Sequence, residues 1–165
     1  YRLPFMGVGS FTVVGPCFGV AKSALEAYCT IMRERSGVIS GTNLAEHEPL
    51  QLKVSESAAE IDAAWLLITA DLDEVNSVTR EGGILDSIQC ARFKRNVAFA
   101  ARLCRNSVDR LLMAMGVPGQ KFGNPVQRLA LDMNALASHG LMSWEPNAIS
   151  YGRKILGLDA DKTYF

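Results

Sequence analysis

The sequence predicts an all-α protein, an up-down-up-down four-helix bundle, on three observations. Apolar residues recur at helical three-four spacing through four long segments. Short clusters of Gly, Pro and Asn separate those segments. No stretch alternates apolar and polar residues in the manner of a half-buried strand. With 165 residues and 48% hydrophobic content, the chain can close one core but not comfortably two, so one domain over residues 1–165 is expected.

The first predicted helix runs from Ser10 or Val14 to Arg35, with Phe18, Ala21, Leu25, Tyr28 and Met32 on its inner face and Pro16 tolerated near its start. SGVISGTN ends it. The second, from Pro49 to about Thr79, carries Val54, Ala58, Ile61, Trp65, Ile68, Leu72 and Val75 in strict four-three alternation, a pattern suited to bundle packing, and stops at Glu81-Gly82-Gly83. The third starts near Ile84 and passes through Ile88, Ala91, Ala98, Ala101, Cys104, Val108, Leu112 and Met115 before Gly116 and Pro118. Its alanine-rich face lets neighbouring backbones approach closely. The fourth opens at Asn124-Pro125, a capping residue followed by proline at the first helical position, and is expected to reach about Leu156.

Along that fourth helix Asn124, Arg128, Asp132 and His139 share one face, displaced from the apolar face of Val126, Leu129, Met133, Leu136 and Gly140. A cation, an anion and an imidazole beside the small Ala135 can grip a ligand. The plain alternatives are a surface Arg128–Asp132 pair and a core histidine satisfied by a backbone carbonyl or Ser143.

Lys plus Arg equals Asp plus Glu at 17 each, which removes any bulk attraction for nucleic acid or an anionic membrane. No segment reaches the roughly 18 apolar residues that span a bilayer, and no secretory leader opens the chain. Cys17, Cys29, Cys90 and Cys104 lie in apolar helical patterns without metal-ligand spacing, the pattern of reduced, buried thiols in a cytoplasmic protein. The opening YRLPFMGVGSF reads as an approach to a helix, so a fragment of a larger protein is expected.

A di-iron bundle would need Glu-x-x-His pairs, and neither histidine has one. His47, in AEHEP, reads as a solvated loop residue, because adjacent side chains point apart and cannot all ligate one ion. No metal site is expected. Arg33 and Arg35 end the first helix, where cations complement the macrodipole; Arg35 also continues the stripe of Tyr28 and Met32 and can face an anion instead. The loop GVPGQKFGNP leads into a helix N-terminus with free amides, a setting that suits phosphate. No Walker, Rossmann, GxSxG, HExxH or CxxC motif is present.

The segments LEAY, RFKRNVAFAARLCRNSVDRLLMAMG, FGNPVQRLALDMNALASHGLMSW and YGRKILGL together resemble the C-terminal helical domain of the acyl-CoA dehydrogenase superfamily, and most of all its flavin-dependent two-component monooxygenase branch. The resemblance covers nearly the whole chain, and NPVQR to SHGLMSW is its most specific part. It implies the last third of a three-domain homotetramer. It implies an oxygenase component that takes reduced FMN from a partner reductase and hydroxylates a small aromatic or heterocyclic substrate with O2, through a C4a-hydroperoxyflavin. By the same resemblance His139 matches a histidine beside flavin and substrate, and Arg33 or Arg35 an arginine near the ribityl phosphate. The Phe122-Gly123-Asn124 turn matches a region bordering the flavin across a subunit interface, and Arg2 an arginine some members bring to the substrate. Asn134 stands where relatives often have a histidine.

Two alternatives accompany that implication. One is an FAD-dependent acyl-CoA dehydrogenase, in which Glu145, the only glutamate after Asn124, would have to be the base although the usual Tyr-Glu-Gly signal is absent. The other is a helical oligomerisation module without activity of its own, the best description of what the isolated chain can do unaided.

Overall fold

The computed structural model describes residues 5–37 and 41–158. A single-turn α1 (Phe5–Val8) precedes α2 (Phe11–Glu34), α3 (Glu48–Arg80), α4 (Ser87–Ala114), α5 (Pro125–Ala137) and α6 (Trp144–Ile155). Three short 3-10 turns, Leu44–Glu46, Val117–Gln120 and Gly140–Met142, sit in the connections, and no strand occurs among the described residues. Helix α4 is the hub: it packs against α3 along most of their length and also touches α2, α5 and α6, while α2 leans on α5 and α3.

The first two predicted helices fall within a residue or two of α2 and α3. The third starts later than expected, at Ser87, because Asp86 caps it. Asp86 accepts the amides of Ile88 and Gln89, both at 2.7 Å, and the Gln89 side chain returns to the Asp86 amide at 2.9 Å. Ile84 is therefore outside the helix and 79% exposed, and its neighbour Leu85 is the buried residue.

The fourth predicted helix is two helices. After Ala137 the Ser138 hydroxyl donates to the Asn134 carbonyl at 2.7 Å, and residues 139–143 form a tight turn before α6 begins.

The main core joins Val14, Cys17, Phe18, Ala21 and Ala24 of α2 to Ile61, Ala64 and Ile68 of α3, Val97, Ala101, Cys104 and Val108 of α4, and Ala130 and Met133 of α5. Trp65, expected inside, is 46% exposed: it stands edge-on to Phe18 with ring centroids 5.2 Å apart, and Lys22 lies 5.1 Å over its face. Leu72 and Ile88 are also partly exposed. A strict four-three stripe is wider than the seam that α4 covers, so its edges reach water.

Two polar devices bind α3 to α4. Toward the start of α3 and the end of α4, the Ser107 hydroxyl donates to the Ser57 carbonyl at 2.9 Å and the Ser57 hydroxyl to the Ser107 carbonyl at 3.4 Å, both serines fully buried. Beside them Arg110 holds Glu60 with two bonds of 2.8 Å. Toward the other end the buried Asp71 accepts from Asn96 at 2.7 Å, with Arg92 at 3.8 Å. Arg92 also pairs with Glu74. Arg95 donates to Asn96 and lies 4.0 Å over the Tyr151 ring, extending the network to α6.

Candidate functional site

His139 lies in the α5–α6 connection, not inside a helix as the sequence suggested, and it is exposed. Its backbone is extended, its amide donates to the Leu136 carbonyl at 3.0 Å, and its Nδ1 accepts the Leu141 amide at 3.2 Å. An accepting Nδ1 carries no proton in the neutral ring, so Nε2 carries it. The imidazole is thus fixed as a donor through Nε2, held by its own turn. The core-histidine alternative is set aside by this exposure.

With His139 off the helix, the polar stripe shortens to Asn124, Arg128 and Asp132 on α5. No ion pair joins Arg128 to Asp132 among the described residues; both are exposed. They line an open groove of about 730 Å³ with Phe122, Gly123, Asn124 and Leu131. Phe122 is fully exposed on the turn before α5, where Gly123 takes φ 89°, a conformation that favours glycine. Asn124 itself is committed: Oδ1 accepts the Val126 amide at 2.9 Å and Nδ2 donates to the Pro118 carbonyl at 3.2 Å. What this turn offers a ligand is therefore Phe122 and backbone, with Asn124 holding the shape.

Arg33 and Arg35 end α2 on a fastened platform. Asn43 Nδ2 donates to the Arg33 carbonyl at 2.9 Å, the Leu44 amide donates to the Arg35 carbonyl at 2.8 Å, and Ser36 bridges to Asn43. Arg33 is exposed; Arg35 is half-buried, and its Nη1 is buried without a hydrogen-bond partner. One small core of Tyr28, Met32, Leu111, Met115 and Val126 lies under both this platform and the start of α5. Arg33, Arg35, Phe122 and Asn124 therefore share one end of the bundle. His139 is a helix away, since the 13 residues of α5 span about 20 Å. Arg2 lies outside the described residues.

Two features escaped the sequence reading. Tyr28 fits the apolar inner face of α2, yet its fully buried hydroxyl has no partner. Burial pushes its pKa up, the neighbouring Cys29 adding to the effect and Arg35 opposing it. The second is a cavity of about 350 Å³ whose wall includes Ala101, Arg102, Arg105, Ser143, Trp144 and Glu145. Arg102 lies 4.1 Å from the Trp144 ring centroid and 4.9 Å from that of Phe99; the Phe-x-x-Arg spacing on α4 was the available signal. Among the described residues no three His, Cys, Asp or Glu side chains gather to hold a metal ion. His47 instead shares a 2.8 Å hydrogen bond with the Thr42 hydroxyl.

A helical bundle hung on a central α4, with its polar residues gathered at one end and at a broken helix, defines a domain class that the comparisons identify. The chain matches the family described as acyl-CoA dehydrogenase, C-terminal domain, over residues 11–144, and belongs to that family. It is 31% identical over 154 residues to the FADH(2)-dependent resorcinol hydroxylase, oxygenase component, of Rhizobium sp. (strain MTP-10005), covering 88% of this chain and 38% of that protein. It is 26% identical over 165 residues to the p-hydroxyphenylacetate 3-hydroxylase, oxygenase component, of Acinetobacter baumannii, covering 99% of this chain and 38% of that protein. The crystal structure of 3-HSA hydroxylase from Rhodococcus sp. RHA1 has the same fold over 100% of this chain and 43% of its own, with a TM-score of 0.89 at 22% identity. The chain thus spans well under half the length of these proteins.

Proposed function

We propose that this chain is the C-terminal bundle of a larger three-domain protein, the oxygenase component of a two-component flavin-dependent monooxygenase that hydroxylates a small aromatic or heterocyclic substrate. The observation that carries the reading is His139, an exposed imidazole whose Nδ1 is tied to its own turn and whose Nε2–H is left to face a ligand. The likeness to two oxygenase components over most of the chain supports it.

A reduced flavin, when bound, supplies the electrons that activate oxygen. The residues fit an anionic cofactor, because Arg35 keeps a buried donor without a partner and Arg33 stands beside it on the fastened end of α2. In this reading the two ends of the bundle serve cofactors on opposite sides of a subunit interface: Arg33 and Arg35 bind the phosphate end and Phe122 with the Asn124 turn borders the cofactor held against a neighbouring subunit. His139 donates through Nε2 to an oxygen of cofactor or substrate and keeps a proton there. FMN delivered by a partner reductase is the first choice, and reduced FAD the alternative, since the resorcinol hydroxylase is FADH(2)-dependent by name. A cytoplasmic homotetramer completes the proposal; exposed Leu52, Leu66, Phe122 and Leu131 support association.

The dehydrogenase alternative would place the base at Glu145. That residue is exposed in the first turn of α6 and lines the Arg102 cavity, which shares no wall residue with the Phe122 groove.

The full-length protein, mixed anaerobically with chemically reduced FMN or FAD, then with oxygen and a panel of phenols, is expected to release a hydroxylated product. The His139→Asn variant keeps its assembly but diverts turnover to hydrogen peroxide. Reduction of bound FAD by an acyl-CoA, with no phenol hydroxylated, would sink the reading in favour of the dehydrogenase. The isolated bundle hydroxylates nothing, as an oligomerisation module would.

A further inference from the structure

Five arginines stand on α4, and four of them meet an acceptor. Arg92 pairs with Glu74, Arg95 donates to Asn96, Arg105 stands 3.6 Å from Asp109, and Arg110 holds Glu60. Arg102 meets only the Trp144 and Phe99 rings among the described residues. Ring stacking engages the face of a guanidinium and leaves its N–H donors, which lie in the plane, for a partner of another kind.

Arg102, Arg105 and Glu145 all line the cavity of about 350 Å³ between α4 and the start of α6, yet no ion pair joins Glu145 to either arginine. What keeps these opposite charges apart is the cavity itself. Its volume lies at the lower end of small-molecule pockets, with room for one ring and its substituents. Ala98, Ala137 and Met142 supply its apolar wall. The Ser138 hydroxyl is committed to the Asn134 carbonyl at 2.7 Å, whereas the Ser143 hydroxyl caps nothing at the start of α6. The complement of this wall follows from its parts. The planar fork of Arg102 matches a carboxylate, the alanines and the Met142 thioether suit a flat ring, and Glu145 accepts from a hydroxyl. A phosphate would set a second negative charge against Glu145, so a singly charged acid fits better.

We propose that this cavity binds a small hydroxylated aromatic carboxylate, with Arg102 holding the carboxylate, Ala98, Ala137 and Met142 the ring, and Glu145 the hydroxyl. The site is separate from the flavin reading, because neither His139, Arg33, Arg35 nor Phe122 lines the cavity.

The test is calorimetric titration of the full-length, flavin-free protein with 4-hydroxybenzoate and with its uncharged counterpart 4-hydroxybenzamide. The acid is expected to bind, and the amide about tenfold or more weakly, the scale of a hydrogen bond to a charged group. Arg102→Gln weakens binding of the acid by a similar factor, and Arg102→Lys, which keeps the charge without the fork, falls between. Ala98→Leu fills the apolar wall with Arg102 untouched and abolishes binding at this site. Circular dichroism checks that each variant is folded; should Ala98→Leu unfold, Arg102→Gln, a change at an exposed residue, decides alone. Phenol hydroxylation by Arg102→Gln stays at the parent's level, so a parent that hydroxylates nothing counts against the flavin reading only. Equal binding of the acid by parent and Arg102→Gln, an amide bound as tightly as the acid, or no binding by the parent overturns the proposal.

Discussion

The four cysteines divide by depth, and the division is chemical. Burial pushes the Cys17 thiol up to about 11 and the Cys104 thiol to about 12, the latter helped by its neighbours Cys17 and Glu60. Cys17 also donates to the Met142 thioether at 3.7 Å, beneath the turn that carries His139. Since the thiolate is the reactive form, both are expected to resist iodoacetamide in the native protein. Cys29 and Cys90, only half-buried, are modified first; peptide mass mapping of a time course checks the order. At this scale the sequence was legible for charge and opaque for hydrogen bonding. Arg35 could be read as continuing an inner stripe toward an anion, but Tyr28 passed as a core aromatic because an amphipathic ring fits an apolar periodicity whether or not its hydroxyl is satisfied.

Helix starts with a chemical signature were readable. Asn124-Pro125 announced α5, and the cap is present with the proline at its first turn. Asn124→Ala is expected to cost about 1 kcal/mol for the lost cap, seen as a lower urea midpoint at unchanged slope. The Val117–Gln120 turn before it allows little growth: a Cβ on Gly119 would stand 2.6 Å from Met115 Cβ and 3.0 Å from the Leu112 carbonyl. Gly119→Ala therefore destabilises by about 1–3 kcal/mol, by the same measurement. The break at 138–143 was not readable. Apolar residues continue through it as Leu136, Leu141 and Met142, so the period never falters. What ends α5 is side-chain-to-backbone bonding by Ser138 and His139, and periodicity carries no record of that. The correction matters for function, because it turns a histidine on a helix face into one presented by a turn.

For the whole bundle, the Asp71 network sets a pH dependence. Burial holds the Asp71 carboxyl above its ordinary range, outweighing the Asn96 hydrogen bond and Arg92 that pull it down. As pH falls, the native state therefore takes up this proton before the unfolded chain does. Over that interval the native protein binds more protons, and Asp71's contribution to stability rises toward acid and is lost again above its native pKa. Relative to Asp71→Asn, the Tm of the parent should accordingly rise as pH is lowered from 7 toward 4; a gap that widens the other way would contradict the assignment. The topology was legible from four amphipathic stripes. The candidate site was legible only in its members, since its two halves stand a helix apart and the sequence had joined them on one continuous face.

The buried serine pair that joins α3 to α4 has a consequence for assembly. If α4 slid along α3 by one turn, about 5.4 Å, Ser57 would meet Leu103 or Leu111 in place of Ser107, and two leucine side chains would have to enter a gap shaped for hydroxyls. Alanine-rich faces tolerate many alignments; this one does not. The pair works as an index mark, choosing the single offset at which the longest helices of the bundle can lock.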